Sequence, residues 1–283
     1  MPERRIDLHT HSTASDGTTE PGDLVQQARA AGLDVVALTD HDTTAGHEAA
    51  LAALPPGLSL VRGAEVSCAH DGVSLHLLAY LFDPQDAALA AAFRALRTSR
   101  VGRAEAMARA LEAAGTGVTW AQVQQLAGGT VGRPHVAQAL MAQGLVGSVG
   151  EAFTDEWIGT GGRFYVPKLE LDVLEAVRLV TAAGGVAVFA HPLATKRGRT
   201  VGDDVVAAMA EAGLAGLQGD HVDHDEQARR HLRGLAGELG LLTTGSSDFH
   251  GSNKTVRLGE HVTPEASYER IVAHATGAEV VTG

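Results

Sequence analysis

Short apolar runs alternate with stretches of helical period along most of the chain. Residues 5–9 read as a short strand. Residues 34–39 read as a second, built on the apolar run Val35-Val36-Ala37-Leu38, with further strands at 58–66 and 73–81. Between them, residues 21–31 read as a helix opened by Glu20-Pro21 and closed by Gly32, and residues 43–54 as another. Runs that are apolar throughout, rather than alternating, predict strands covered on both faces and therefore a largely parallel sheet. The pattern breaks over residues 83–170, where helical runs at 87–114, 120–127 and 134–143 follow one another without strands. Gly128-Gly129, Gly159 and Gly161-Gly162 mark loops there. Alternation resumes at residue 171, with helices at 171–183, 203–212, 225–239 and 264–275 and strands at 186–190, 214–218, 241–244 and 279–281. These units predict an α/β fold: a distorted (β/α) barrel from residues 1–82 and 171–283, interrupted by a helical insertion over 83–170.

Composition narrows the partners. The 283 residues carry a net charge of −12, which argues against broad binding to duplex nucleic acid or an anionic membrane. A phosphorylated substrate stays open, because bound cations can reverse the local field. The single cysteine, Cys68, allows no disulfide within the chain and fits a reducing compartment. No apolar stretch resembles a signal peptide or a membrane span, so a soluble cytoplasmic protein is expected. The 14 histidines are the unusual feature.

Those histidines fall at strand ends. His9 and His11 close the first strand, and alternate strand residues point to one side. Asp16 follows in a polar turn. His41, flanked by Asp40 and Asp42, ends the second strand; Glu65 ends the third; His76 lies within the fourth. His191-Pro192 ends the fifth, His221 and His224 follow the sixth, and Asp248 and His250 follow the seventh. A lone His-x-His is a weak metal motif. Repeated at nearly every strand end of a parallel barrel, such residues share one face and form a constellation.

His9-x-His11, Thr39-Asp40-His41-Asp42, Glu65, His76, His191-Pro192 and Gly245-Ser246-Ser247-Asp248-Phe249-His250-Gly251 together resemble the polymerase-and-histidinol-phosphatase (PHP) superfamily. The insertion, with Gly132-Arg133-Pro134-His135, looks like the branch of metal-dependent phosphoesterases acting on nucleotides, which includes nucleoside 3′,5′-bisphosphate phosphatases and a 5′-to-3′ trimming ribonuclease. The resemblance implies a distorted (β/α)7-type PHP barrel with three divalent ions of Mn, Zn or Fe. His9, His11, Glu65 and Asp248 would hold the first ion. Glu65 would bridge to a second, completed by His76 and His191, and Asp16, His41 and His250 would hold the third. It also implies attack by metal-activated hydroxide on a small phosphorylated nucleotide, either a nucleoside bisphosphate or monophosphate or a short 5′-phosphorylated oligonucleotide such as an RNA end. The alternatives are a histidinol-phosphate-type phosphomonoesterase and an inert metal-binding assembly module.

The remaining candidates are less tied to a motif. Arg133, His135, Lys168 and Arg197 are expected at the substrate, the cations as clamps for a second phosphate, with Arg199 able to replace Arg197. His224 is a candidate proton donor or substrate contact. It lies in Gln218-Gly219-Asp220-His221-Val222-Asp223-His224, where the family often has Glu-Val-x-His-Pro-x-His. Asp42 is expected to N-cap the helix after it, and Asp40 to be an acceptor that orients a ligand or simply a neighbour of His41. Arg94, Arg97, Arg100 and Arg103 read as a solvated helix face, the sharper alternative being a track for phosphates. His47, His70, His231, His261 and His274 read as packing or surface residues, and Cys68 as structural.

Overall fold

The computed structural model describes residues 3–127 and 131–283, apart from the Arg197 side chain. Gly128 and Gly129, expected in a loop, lie outside the described residues, as does any contact of Arg197.

In chain order the barrel opens with β1 (Ile6–Asp7), α1 (Pro21–Ala30), β2 (Val35–Leu38), α2 (His47–Ala52), β3 (Ser59–His70) and β4 (Val73–Tyr80). The inserted helices are α3 (Ala87–Ala113), α4 (Trp120–Leu126) and α5 (Arg133–Ala142). The chain then returns through β5 (Leu171–Asp172), α6 (Val173–Ala182), β6 (Val186–Phe189), α7 (Asp203–Glu211), β7 (Gly216–Asp220), α8 (Glu226–Glu238), β8 (Leu242–Gly245), α9 (Glu265–His274) and β9 (Val281–Thr282). Several helices begin where a side chain accepts an otherwise unpaired N–H: Asp86 caps α3, Asp172 caps α6 and Asp225 caps α8. Pro21 starts α1, where its missing N–H costs nothing.

The main sheet runs β1-β2-β3-β4-β6-β7-β8. It nearly closes on itself: Thr10 and Phe249 form a bridge beyond the ends of the two outer strands, and His11 N donates to Phe249 O at 2.8 Å. The continuous apolar strands are covered on both faces. In β2, Val35 and Ala37 enter the barrel interior, whereas Val36 and Leu38 pack with Leu24, Val25 and Ala28 of α1. In β6, Val186 and Val188 face the interior, whereas Ala187 and Phe189 join the outer layer under α6. Cys68 is buried in that outer layer, and burial pushes its thiol up, as suits a structural residue.

The sheet is less parallel than the apolar runs predict. β4 pairs antiparallel with both β3 and β6. The reason is local. Only Asp71-Gly72 separates β3 from β4, both with positive φ (45° and 71°), and a two-residue link of this kind can only make an antiparallel hairpin. His76 therefore reaches the other ligands from the middle of a strand, opposite Ser67, and not from a parallel strand end.

α2 is also shorter than expected, and Asp42 does not cap it; Gly46 occupies that position. Asp42 has φ 55° and instead accepts from Ser67 N (2.7 Å), Ser67 Oγ (2.8 Å) and Arg100 Nη2 (3.0 Å). The solvated arginine face is corrected too: Arg100 and Arg103 are buried. α3 spans two cores. Its first turns place Leu89, Phe93 and Leu96 in the outer barrel layer, and its later turns place Ala104, Met107 and Leu111 with Val123, Val136 and Leu140 of α4 and α5. Among the described residues, no helix is long and apolar enough to cross a membrane.

One buried hydrogen bond ties the hairpin to the chain just before His9: Tyr80 Oη donates to Leu8 O at 2.9 Å. Tyr80→Phe keeps the ring and leaves the Leu8 carbonyl unpaired, which should cost about 1–3 kcal/mol in urea unfolding. An unchanged midpoint would show that this bond contributes nothing.

Candidate metal centre

Glu65, near the middle of β3, is buried and presents its two oxygens to different groups. Oε2 lies 3.2 Å from His9 Nε2, 3.1 Å from His11 Nε2 and 3.2 Å from His41 Nδ1. Oε1 lies 2.9 Å from His76 Nδ1 and 3.0 Å from His191 Nε2. Asp248 Oδ1 completes the first group at 3.4 Å from both His9 and His11, whose Nε2 atoms are 3.0 Å apart. A tetrahedron with bonds of about 2.0–2.1 Å has edges of roughly 3.3–3.4 Å, so this donor spacing suits a small divalent ion. Asp16 gathers the third group: its Oδ1 is 3.4 Å from His250 Nε2 and 3.7 Å from His11 Nδ1, and its Oδ2 is 3.6 Å from His41 Nε2.

Groups able to hold a metal are thus His9-His11-Glu65-Asp248, His11-Asp16-His41-His250 and His41-Glu65-His76. All nine residues expected as ligands come together. The grouping differs in two respects from the simple expectation: His11 and His41 each stand between two groups, and His191 belongs to none of the three. His191 approaches the second group through Glu65 Oε1.

Surrounding bonds aim these ligands. His250 Nδ1 donates to Asp248 O at 2.9 Å, which turns Nε2 toward the cluster as its candidate ligand atom. Gln218 Oε1 accepts from His191 N at 2.8 Å and lies 3.4 Å from His9 Nδ1. This glutamine occupies the position where the family pattern often has Glu. Asp40 accepts from Ser12 N (2.8 Å), Ser12 Oγ (2.6 Å) and Ser15 Oγ (2.5 Å), fixing the turn that carries Asp16. That turn needs Gly17, because a Cβ there would meet His11 O at 2.5 Å. His191 and Asp248 both hold positive φ (32° and 55°), a conformation costly for residues with side chains and characteristic of working sites.

The electrostatics favour positive charge beside the buried carboxylates. Burial alone would raise the Glu65 carboxyl, but His76, His41 and His9 hold it well below the usual range. Asp16 behaves likewise, with His41 and His250 outweighing its burial. Burial pushes His41 and His250 down, whereas His11, facing Asp248 and Glu65, is pushed up to about 10 despite its burial. Buried carboxylates with imidazoles in this proportion fit divalent ions, which meet the same demand for positive charge.

The cluster opens onto a cavity of about 820 Å³ lined by Asp16, His41, His76, His191 and His250. Arg100, Arg103, Arg133 and Lys168 line it as well. Burial and neighbouring guanidinium groups push Arg103 down, and burial with Arg100 pushes Lys168 down to about 8. Lys168 pairs with Glu170 at 3.0 Å. Arg133 stacks over Phe153, with its guanidinium carbon 5.1 Å from the ring centre.

Other candidates sit elsewhere. His135 is not among the residues lining that cavity; its Nδ1 accepts from Gly132 N at 3.0 Å, closing the start of α5. His224 Nδ1 donates to Gly219 O (2.9 Å) and its Nε2 accepts from Leu193 N (3.2 Å), so both nitrogens serve the backbone. This corrects the expectation that His224 offers a proton to substrate. Sequence reasoning missed His221 and Lys254 as neighbours of Asp248: His221 Nε2 lies 3.3 Å from Asp248 Oδ2, and Lys254 Nζ lies 2.6 Å from the same oxygen. No spacing signal marks Lys254, which sits six residues beyond its partner.

Barrel, ligand cluster and cationic cavity together define a hydrolase of phosphate esters that works with metal ions. The PHP domain model matches residues 7–191, and the chain belongs to that family as a metal-dependent phosphoesterase. A 5′-3′ exoribonuclease of Haemophilus influenzae is 34% identical over 261 residues, 92% of this chain and 94% of its own length. A 3′,5′-nucleoside bisphosphate phosphatase of Chromobacterium violaceum is 32% identical over 252 residues, 87% of each chain. A crystal structure assigned as a metal-dependent phosphoesterase from Bifidobacterium adolescentis superposes with a TM-score of 0.90 at 34% identity, over 97% of this chain and 98% of that one.

Glu65→Ala should remove bound metal, measured per chain by elemental analysis, and lower kcat by at least about a thousandfold, equivalent to several kcal/mol of transition-state stabilisation. Retained metal with normal turnover would contradict the shared-carboxylate arrangement.

Proposed function

We propose that the chain removes a phosphate from a small nucleotide carrying a second phosphate, such as a nucleoside 3′,5′-bisphosphate or a short 5′-phosphorylated oligonucleotide. The observation that carries this reading is the buried cationic wall. Arg100 Nε and Arg103 Nε are buried without a hydrogen-bond partner among the described residues, and they line the same cavity as the ligand cluster. Buried donors of this kind call for an acceptor, and guanidinium groups match a phosphate in shape and charge. A substrate with a single phosphate gives that wall nothing to hold. The names of the two curated relatives point to the same substrate class.

Three divalent ions of Mn, Zn or Fe suit the ligand groups, with Glu65 shared between the first and second. Bound there, they would lower the pKa of water and take up charge on the phosphoryl oxygens. The chain's own residues do the rest. Arg133 and Lys168, with Arg100 and Arg103, hold the second phosphate and so orient the scissile one toward Glu65. The inserted helices act as a cap that limits water around the reacting group. A single buried cysteine fits a reducing compartment such as the cytoplasm.

A phosphate-release screen with added Mn²⁺, spanning 3′,5′-bisphosphates, 5′-mononucleotides, histidinol phosphate and short RNAs, tests the reading. The highest kcat/KM should fall on a bisphosphate or a 5′-phosphorylated RNA; a preference for histidinol phosphate would overturn it. Arg133→Ala should raise KM for a bisphosphate by roughly 10–100-fold, the value of one charged hydrogen bond, and leave a simple phosphomonoester nearly unchanged. Equal effects on both would remove Arg133 from this role. Lys168 supplies a pH signature. Held down to about 8, it is charged below that pH and loses its proton above it. KM for the bisphosphate should therefore rise between pH 7 and 9, and Lys168→Arg should flatten the rise.

A further inference from the structure

The three ligand groups are supported by different parts of the chain. His9, His11, Glu65 and Asp248 are braced from the barrel and its loops, through Gln218, His221 and Lys254. The Asp16-His41-His250 group is braced from the inserted helices, along two separate paths.

The first path starts on α3. Arg97 Nη1 donates to Asp42 O at 2.6 Å, and Arg100 Nη2 donates to Asp42 Oδ2 at 3.0 Å and to Ser67 Oγ at 2.9 Å. Asp42 directly follows His41 and holds a positive φ of 55°. Its backbone N donates to Glu65 O at 3.0 Å. The helix thus grips the strained residue that sets the direction of His41. The second path starts on α5. Gln138 Nε2 donates to Asn253 Oδ1 at 3.0 Å, and Asn253 Nδ2 donates to Asp16 O at 2.9 Å. Asn253 lies three residues beyond His250. Between them the two paths reach the loops of all three members of the group.

Resting on the three-ion reading above, we infer that the inserted helices set the affinity of the Asp16-His41-His250 position for its ion. Arg97, Arg100, Gln138 and Asn253 are positioning residues in this scheme: none need touch the ion, and each fixes the backbone that presents a ligand. The arrangement has a consequence for substrate. Arg100 both lines the cavity and holds Asp42, so an anion on the cationic wall and an ion at this position share a structural element. By linkage, each changes the affinity of the other by the same factor.

The test is an equilibrium Mn²⁺ titration of the full chain, counting ions per chain and their separate dissociation constants. Asp16→Ala marks which ion belongs to this position. In the Arg97→Ala/Gln138→Ala double variant, that same ion should bind at least tenfold more weakly, with the ion among His9, His11, Glu65 and Asp248 within twofold of the parent. Arg97→Lys, which keeps a donor to the Asp42 carbonyl, should recover much of the loss when it replaces Arg97→Ala in the Gln138→Ala background. Three ions retained at parental affinity would overturn the inference, and so would equal weakening of all three, which is the mark of general loosening. A parent chain that binds fewer than three ions would fail the three-ion reading itself, before any variant is compared, and this inference with it.

Discussion

A single buried carboxylate organises this molecule. Glu65 faces five imidazoles: His9, His11 and His41 on one oxygen, His76 and His191 on the other. Stripping a carboxylate of water is expensive unless positive charge surrounds it. Here the compensation comes from the segments that follow β1 and β2, from β4 and from the loop after β6, so Glu65 is stable only when four separate parts of the chain converge. The fold serves that convergence. Parallel strands bring His9, His11 and His41 to one end, and the antiparallel β4 lays His76 across from the other oxygen.

Around this anionic centre the chain builds a second field of opposite sign. The protein carries a net charge of −12, yet the same cavity is lined by buried Arg100 and Arg103 and half-buried Arg133 and Lys168. Cations desolvated next to one another repel, which is why burial and mutual proximity depress Arg103 and Lys168. Asp42 and Glu170 offset part of this repulsion, and the polyanionic substrate proposed above would offset more of it. α3 links the two fields. Its early turns pack in the outer layer of the barrel, its middle carries Arg100 to Asp42 beside His41, and its later turns join the core of the inserted helices.

Much of this was legible in the residues. The apolar runs locate β2 and β6 to within a residue or so. His, Asp and Glu near strand ends point to a shared face, and the family resemblance supplies the nine residues that stand together, although Glu65 and His76 lie within strands and not at their ends. What failed did so for identifiable reasons. The antiparallel β4 was signalled by Asp71-Gly72, a two-residue turn that outweighs the parallel tendency of apolar runs. Asp42 looked like a helix cap because Asp before a helix usually is one; a long-range arginine took it instead. Arg100 and Arg103 looked solvated because helical spacing shows which residues share a face and not what covers that face. His224 has the chemistry of a proton donor, but two backbone partners occupy its ring, and only coordinates reveal them.

On the proposed reading, Glu65 is shared by two ions within a cluster of three. Anomalous diffraction from crystals grown with Mn²⁺ measures this directly. The account predicts three peaks: one among His9, His11, Glu65 and Asp248, one beside Glu65, His76 and His191, and one among Asp16, His41 and His250, with Glu65 touching the first two. A single peak, or a Glu65 carboxylate in contact with only one ion, would contradict it.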